Sequence, residues 1–216
     1  PGQHSFRLPP RRGVEAGDYL QTFKTAVKRI AKRHGLHATF MPKPNMSGDG
    51  SGLHVGMTIR RTDGSDAGEA AARFRVGILK NLYNMMIFTN PMINSYKRLV
   101  PGYEAPMYIA WSATNRSPLI RIPASRGAST RIELRCPDPA ANPYLALAVC
   151  LAAGLDGIRR KIQPPAPINS NIFEMRKSEK LALQIAALPA DLYEAVKEME
   201  KDALVCQVLG SHISER

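Results

Sequence analysis

Cysteine is scarce in this sequence, which contains only three, Cys136, Cys150 and Cys206. Their number is odd and no two have Cys-x-x-Cys spacing, so the sequence predicts neither a disulfide framework nor a thiolate zinc site. No apolar run approaches the ~20 residues that a membrane-spanning helix needs. The first residues lack the basic start and apolar stretch of a secretory signal. We therefore expect reduced thiols in a cytoplasmic protein that does not contact a membrane.

Acidic residues are also in the minority, with 18 against 30 basic ones, and the net charge is +12. Such an excess suits nucleic acid, an acidic surface or small anionic substrates. The cluster that best fits nucleic acid consists of Lys24, Lys28, Arg29, Lys32 and Arg33. It lies on a predicted amphipathic helix, where charged faces are ordinarily solvated, and no nucleic-acid-binding motif accompanies it. We expect small anionic molecules as partners rather than nucleic acid.

Hydrophobic periodicity predicts one domain in which helices and strands are interleaved. Helices are predicted at residues 18–34, with Asp18 in a capping box and Gly35 as the stop, at 69–86, and from Pro143 onward. Strand-like patterns occupy residues 36–41, 53–60, 107–111, 119–122 and 130–136. Strands that are apolar on one face and interleaved with helices predict an α+β fold, an antiparallel sheet covered by helices.

The polar face of this sheet carries a histidine and a carboxylate, His54 and Glu133. A neutral imidazole and a carboxylate together suit Mg²⁺ or Mn²⁺ at a site that also holds phosphate. The alternative is a hydrogen-bonded histidine and an arginine-paired glutamate. These two residues taken alone favour the alternative.

Arginines surround the same positions. Arg131 and Arg135 flank Glu133 at two-residue spacing, so the three side chains project together. Arg98, Arg116 and Arg121 add positive charge that local carboxylates do not balance. A planar guanidinium binds carboxylate or phosphate through two hydrogen bonds, and phosphoryl transfer depends on such groups together with metal ions. The arginines therefore favour a polyanionic ligand.

Several segments resemble, in order, the signatures of glutamine synthetases. They are residues 40–44 (FMPKP), 50–54 (GSGLH), 94–106 (NSYKRLVPGYEAP), 113–117 (ATNRS) and 130–144 (TRIELRCPDPAANPY). Residues 123–127 (PASRG) further resemble the bacterial type I enzymes of the subclass typified by Gram-positive bacteria. The resemblance runs through the whole chain. It implies the glutamine synthetase catalytic domain, with a guanido kinase-like half-barrel.

The resemblance also implies an activity, the ATP-dependent condensation of L-glutamate with ammonia through a γ-glutamyl phosphate intermediate. His54 and Glu133 would bind the Mg²⁺ or Mn²⁺ that bridges the ATP phosphates. The residues that would contact ATP itself are Arg121, Arg131 and Thr58, the last at a position where the family has a serine.

The glutamate end of the site and the catalytic groups follow from the same resemblance. The residues that would hold glutamate are Asp49, Gly50, Arg98 and Arg135. Arg116 would neutralise charge on the transferred phosphoryl group. Glu104 would close the site and take a proton from ammonium. The same family implies a homo-oligomer, a dodecamer of two hexameric rings when the subunit is full length.

Three positions depart from the family pattern. Ser5 stands where the family has a metal-binding glutamate, and a neutral hydroxyl is a weak ligand for a hard dication. Asp49 stands where an asparagine is usual, and Gly56 where many members have a histidine or a polar residue. Residues 1–216 are expected to be the catalytic domain truncated at both ends, without the amino-terminal domain and inactive as a fragment. The departures leave two alternatives open, a γ-glutamyl ligase for another amine and a non-catalytic scaffold.

Overall fold

The computed structural model describes residues 2–101, 105–113, 118–122, 131–210 and 212. The first element is the helix α1, Val14–Arg33. It begins four residues before the predicted start, so the capping box at Asp18 is wrong. Asp18 lies inside the helix and accepts a hydrogen bond from the Tyr144 hydroxyl at 2.6 Å.

The predicted end of α1 is confirmed. Gly35 has φ 69°, the left-handed conformation that glycine adopts without a steric penalty. Its N–H donates to Lys32 O at 3.1 Å, and the N–H of Leu36 donates to Ala31 O at 2.9 Å. These two bonds satisfy the last carbonyls of the helix, in the pattern of a Schellman motif.

Four short strands form one sheet: β1 (Val55–Met57), β2 (Trp111–Ser112), β3 (Ile120–Arg121) and β4 (Ile132–Leu134). Their order in the sheet is β1-β4-β3-β2. The β1–β4 and β3–β4 pairs are antiparallel, as predicted, whereas the β2–β3 pair is parallel. The α+β class is confirmed, and the sheet is mixed because of this one pair.

Each strand is shorter than its sequence pattern. The predicted strand at residues 36–41 is not a strand, since no backbone within the described ranges pairs with it. Alternation marks residues whose side chains point to opposite faces, but a strand also needs a neighbouring backbone. Residues 53–60 nevertheless alternate in exposure along their whole length, as the sequence predicts.

Two long helices cover the apolar face of the sheet: α2 (Glu69–Thr89) and α4 (Pro143–Arg159). The predicted α2 ends three residues too early, and the predicted start of α4 is confirmed. Asn142 caps α4, because its side chain accepts hydrogen bonds from the N–H groups of Tyr144 and Leu145. Shorter helices are α3 (Ile93–Arg98), α5 (Lys177–Ala182), α6 (Leu192–Met199) and α7 (Ala203–Leu209).

The helices and the sheet share one hydrophobic core. Its largest fully buried apolar side chains are Ile78, Leu82, Met85, Met86, Leu119, Ile120, Leu134, Val149 and Ile172. Because this core occupies one face of the sheet, the polar side chains of His54, just before β1, of Arg121 in β3 and of Glu133 in β4 lie together on the other face. None of the helices in the described ranges is long and apolar enough to cross a membrane.

Candidate active site

Glu133 lies at the centre of the polar face of the sheet. It is the middle residue of β4, opposite Gly56 of β1 on one side and Arg121 of β3 on the other. Its side chain is 13% exposed. A carboxylate this sheltered is stable only with partners, which the neighbouring strands supply.

Three side chains approach the Glu133 carboxylate. His54 Nδ1 lies 3.7 Å from Oε1, and Arg135 Nε lies 3.9 Å from the same oxygen. Arg121 Nη2 donates to Oε2 at 3.4 Å. The predicted projection of His54, Glu133 and Arg135 to one face is confirmed, and Arg121 joins them there. The arrangement also has the ion pairs of the structural alternative, so the geometry agrees with both interpretations of Glu133.

Burial and the neighbouring charges favour the neutral form of His54. Burial, followed by the positive charge of Arg135, lowers the pKa of His54 to about 4, although Glu133 opposes the shift. The side chain is still 43% exposed, so a ligand can reach the ring. At neutral pH the imidazole is therefore an unprotonated nitrogen donor, the form that binds a metal ion.

His54 and Glu133 supply two donors for a hard dication. In the described part of the chain, no group of three or more His, Cys, Asp and Glu side chains is placed to hold a metal ion. Mg²⁺ commonly takes one or two carboxylates and completes its shell with water and phosphate oxygens. The pair therefore fits as part of the ligand set of Mg²⁺ or Mn²⁺, with further ligands from phosphate and from other parts of the protein.

The remaining predicted nucleotide ligands lie beside this centre. Arg121 is 25% exposed on its side chain, and its buried Nε has no hydrogen-bond partner. Arg131, one residue before β4, is half-buried and lies over Gly56, where an added Cβ would be 3.6 Å from the Arg131 Cδ. Thr58 is exposed just after β1. The stem of Arg131 thus lies within ordinary contact distance of position 56 on β1.

Arg98, predicted to hold glutamate, is 4% exposed and turns its guanidinium towards the backbone. Nη1 donates to Cys136 O at 2.7 Å and Nη2 donates to Arg135 O at 3.2 Å. A third, longer bond joins Nη1 to Pro137 O at 3.4 Å. The structure therefore places Arg98 at the end of β4, directly behind Arg135, and its role towards glutamate remains a prediction.

The loop that precedes β1 closes over Arg98. An added Cβ on Gly52 would lie 2.6 Å from Arg98 Nη2, and one on Gly50 would lie 2.7 Å from Arg98 Cγ. Only glycine allows the loop to come this close. Asp49 is exposed beside Gly50. Gln3 Nε2 donates to Gly50 O at 3.0 Å, so the segment that contains the exposed Ser5 runs past the same loop.

Sequence reasoning missed several residues that shape this region. Lys43 is 2% exposed, and its ammonium donates to Gly48 O at 2.6 Å. Asn90 and Asp138 are fully buried behind the end of β4. The sequence around each of them is only weakly informative. Lys43 and Asp138 each stand between two prolines, and Asn90 follows a helix. Their burial and contacts become visible only in the folded chain.

The two predicted catalytic residues, Glu104 and Arg116, lie outside the described residues. The described geometry thus comprises the proposed metal, nucleotide and glutamate positions. At its centre, one carboxylate is surrounded by an imidazole and two guanidinium groups that come from β3, β4 and the residue before β1. Such an arrangement can neutralise phosphate and carboxylate ligands at once.

Comparison with known proteins gives the family of this fold. The model of the family described as "Glutamine synthetase, catalytic domain" matches residues 1–216. A glutamine synthetase of Staphylococcus aureus (strain MW2) is 51% identical, over 99% of this chain and 50% of the relative. A glutamine synthetase of Clostridium saccharobutylicum is 50% identical, over 98% of this chain and 50% of the relative. The chain thus spans about half the length of the curated relatives it matches.

A solved structure agrees with these relatives. The chain titled "GmaS/ADP complex-Conformation 1" superposes with a TM-score of 0.80 and 35% sequence identity. The match covers 90% of this chain and 47% of the solved one.

Proposed function

This chain belongs to the glutamine synthetase family as part of its catalytic domain, and on that premise we propose that the intact protein makes L-glutamine from L-glutamate, ammonia and ATP. The reaction would pass through γ-glutamyl phosphate, in which ATP converts an unreactive carboxylate into an acyl phosphate. The observation that carries the proposal is Glu133, set between His54, Arg121 and Arg135 on the open face of the sheet. The similarity to a solved ADP complex supports a nucleotide at this face.

His54 and Glu133 would hold Mg²⁺ or Mn²⁺. When bound, the ion would supply positive charge to the phosphates of ATP. Arg121 lies against Oε2 of Glu133 and Arg135 lies against Oε1. Glu133 therefore also fixes the spacing of the two guanidinium groups. His54 remains neutral beside them because burial, and after it the positive charge of Arg135, lowers its pKa.

The arginines would bind and orient the two anionic substrates. Arg121 and Arg131 would contact ATP, with Thr58 beside them, and Arg116 would stabilise the charge of the phosphoryl group during transfer. Arg121 keeps one buried nitrogen free for a further acceptor. Because Arg121 and Arg131 are held by the sheet and its flank, little reorganisation of these two groups is needed when charge develops.

The glutamate would lie next to them, at the end of β4. Arg135 would bind its carboxylate, and its position beside Glu133, with Nε 3.9 Å from Oε1, supports this role. Asp49 and Gly50 would line the same pocket from the loop side, and Arg98 would complete it. Two substrates held side by side in this way react as if at very high concentration.

Glu104 would act last, as the base for the attacking amine. Ammonium has no lone pair, so a carboxylate must take a proton before nitrogen attacks the acyl phosphate. Closure of its loop would also keep water from hydrolysing the intermediate.

The proposal is tested on the intact protein by following ADP release with glutamate and ammonium each present or absent, and by identifying the amide product by mass spectrometry. We expect ADP release that needs both substrates and Mg²⁺ or Mn²⁺. Glu133→Gln should lower the rate by roughly 10²- to 10³-fold, as expected for a preorganised electrostatic group. The matched control is Glu69→Gln. It removes an exposed carboxylate in the first turn of α2, where Glu69 pairs with Arg73. No glutamate-dependent ADP release in the wild type would overturn the proposal.

The amine is tested in the same assay. Methylamine and ethylamine replace ammonium at equal concentration of free base. Preference for ammonia supports glutamine synthesis, and preference for a substituted amine supports the alternative γ-glutamyl ligase. The unusual Asp49 is the residue that motivates the comparison.

A further inference from the structure

A buried polar cluster lies where α2 ends, behind the end of β4. It consists of Thr89, Asn90, Ser95 and Asp138, each 0% exposed. Burying polar side chains is unfavourable unless each is hydrogen-bonded. The hydrogen bonds of these four side chains therefore show what the cluster holds in place. None of them was identified as a site residue above.

Asn90 is the centre of this cluster. Its amide nitrogen donates to Cys136 O at 2.9 Å and to the Asp138 carboxylate at 3.0 Å. Its amide oxygen accepts from the Thr89 hydroxyl at 2.9 Å, which fixes the amide orientation. The backbone N–H of Asp138 in turn donates to Thr89 O at 3.1 Å. The turn that follows β4 is thus tied to the end of α2 at three points.

Arg98 holds the same turn from the next helix. Its Nη1 shares the acceptor Cys136 O with Asn90, at 2.7 Å. Its Nη2 donates to Arg135 O at 3.2 Å. Side chains from the end of α2 and from α3 therefore converge on Arg135 and Cys136, the two residues that follow β4.

We propose that Asn90 is a positioning residue for the glutamate site, because it and Arg98 together fix the backbone from which Arg135 projects. This inference rests on the proposed function, in which Arg135 binds glutamate. The direction of a long side chain follows the direction of its Cα–Cβ bond, so a small backbone shift at residue 135 moves the guanidinium by a larger amount. The nucleotide ligands Arg121 and Arg131 have no bond to Asn90.

The chain offers a matched control within α2. Asn81 is buried inside the helix, at 7% exposure, and its amide donates to Gly77 O of the same helix at 2.8 Å. Asn90 directly follows α2. Both are buried asparagines, and they differ in what they bind. A purely structural role for Asn90 would make both alanine variants alike in catalysis.

The test compares Asn90→Ala, Thr89→Val and Asn81→Ala in the intact protein. Initial rates of glutamate-dependent ADP release give KM for glutamate and for ATP, and thermal unfolding gives the stability of each variant. For Asn90→Ala we expect the glutamate KM to rise about tenfold, because sub-ångström misplacement of a binding group is enough for such an effect. The ATP KM should stay unchanged. Thr89→Val removes only the hydroxyl that orients Asn90, so it should raise the glutamate KM less and in the same direction.

Each outcome decides the inference. It is supported if the glutamate KM rises in the order Thr89→Val, then Asn90→Ala, while Asn81→Ala changes only stability. It is overturned if Asn90→Ala loses stability with both KM values unchanged, or if all three variants raise both KM values alike. Should Asn90→Ala fail to fold, the milder Thr89→Val decides by the same criteria. Wild-type protein without glutamate-dependent ADP release would instead overturn the proposed function, and this inference with it.

Discussion

The three partners of Glu133 come from three places in the chain. His54 precedes β1, Arg121 ends β3, and Arg135 follows Glu133 by two residues. Arg135 projects beside Glu133 because side chains two apart on a strand share a face. His54 and Arg121 come near only through the register of β4 with its two neighbours. The sequence therefore predicts the face of each residue, and the register decides which of them meet.

Glu104 is expected to act in amide formation rather than in phosphorylation. Glu104→Ala in the intact protein should lower glutamine synthesis by roughly the 10²- to 10⁴-fold that an acid–base group contributes. Glutamate-dependent ATP cleavage should survive better, because the acyl phosphate still forms and then hydrolyses. Parallel assays of glutamine and ADP measure the split. Equal loss of both activities would assign Glu104 to binding or folding.

Gly52 is required by the close approach of its loop to Arg98. In Gly52→Ala the new Cβ would lie 2.6 Å from Arg98 Nη2, so either the loop or the guanidinium must move. Because Arg98 holds Arg135 O, we expect a higher KM for glutamate, by about tenfold. Gly48→Ala is the control in the same loop, since its Cβ would meet only Asn45, at an ordinary 3.6 Å. Similar KM values for the two variants would contradict this account.

At the scale of elements, α2 and α4 cross with their backbones in contact. An added Cβ on Gly77 would overlap Ala153 O, and one on Gly157 would overlap Arg73 O. The buried face of α4 is accordingly made of small residues such as Ala146 and Ala153, while Leu151 and Leu155 are exposed. Small residues allow the two helices to lie close together over the sheet and thus set the position of the Asn90 end of α2.

This crossing predicts a ranked effect on stability. Gly77→Ala and Gly157→Ala force backbone against backbone, so each should destabilise by at least the ~1–3 kcal/mol usual for overpacking. In Gly154→Ala the new Cβ would meet the Phe74 ring, a side chain that can shift, and the loss should be smaller. Urea unfolding of the intact protein followed by circular dichroism gives the order. A larger loss for Gly154→Ala than for the other two would contradict the backbone contact.

The segment after the proline-rich residues 163–167 is packed rather than free. Ile172 is fully buried and the Phe173 ring meets Tyr108 edge-on at 5.8 Å. In some bacterial glutamine synthetases a tyrosine in an Asn-Leu-Tyr type motif of this region is adenylylated, as the resemblance implies. Phe173 follows Asn171 and Ile172 and has no hydroxyl to accept a nucleotide.

We therefore expect no adenylylation of this segment. Protein isolated from nitrogen-rich cells should have its unmodified intact mass. Peptide mapping gives the location of any addition, and a nucleotide-sized mass within residues 168–176 would refute the expectation.

For the whole molecule, we propose assembly into a dodecamer of two hexameric rings. Large apolar side chains are exposed in several places, among them Leu181 at 80%, Ile93 at 71%, Tyr193 at 71% and Val14 at 68%. Singly exposed apolar side chains are normal on a protein surface, so the proposal rests on the family resemblance. Native mass spectrometry of the intact protein should give twelve subunits. A monomer with full activity would overturn this assembly.

The sequence by itself determined the features that depend on neighbours along the chain. Alternation at residues 53–60 gives the observed alternation of exposure, and Gly35 ends α1 because its φ suits few other residues. The apolar spacing of Phe74, Ile78 and Leu82 gives the buried face of α2. The α+β class and the polar face that carries His54 and Glu133 follow from these local rules.

Only the tertiary structure decided which distant backbones pair and what a buried side chain binds. Residues 36–41 have the pattern of a strand but pair with no strand in the described ranges. β2 runs parallel to β3, although strands that follow each other closely in the chain favour antiparallel pairing. The sequence predicts Arg98 as a ligand for glutamate, and only the folded chain shows that its guanidinium donates to the carbonyls of residues 135–137. Strand pairing and side-chain burial depend on contacts between residues that are tens of positions apart in the chain. The free energies of such contacts cannot be read from a local sequence pattern.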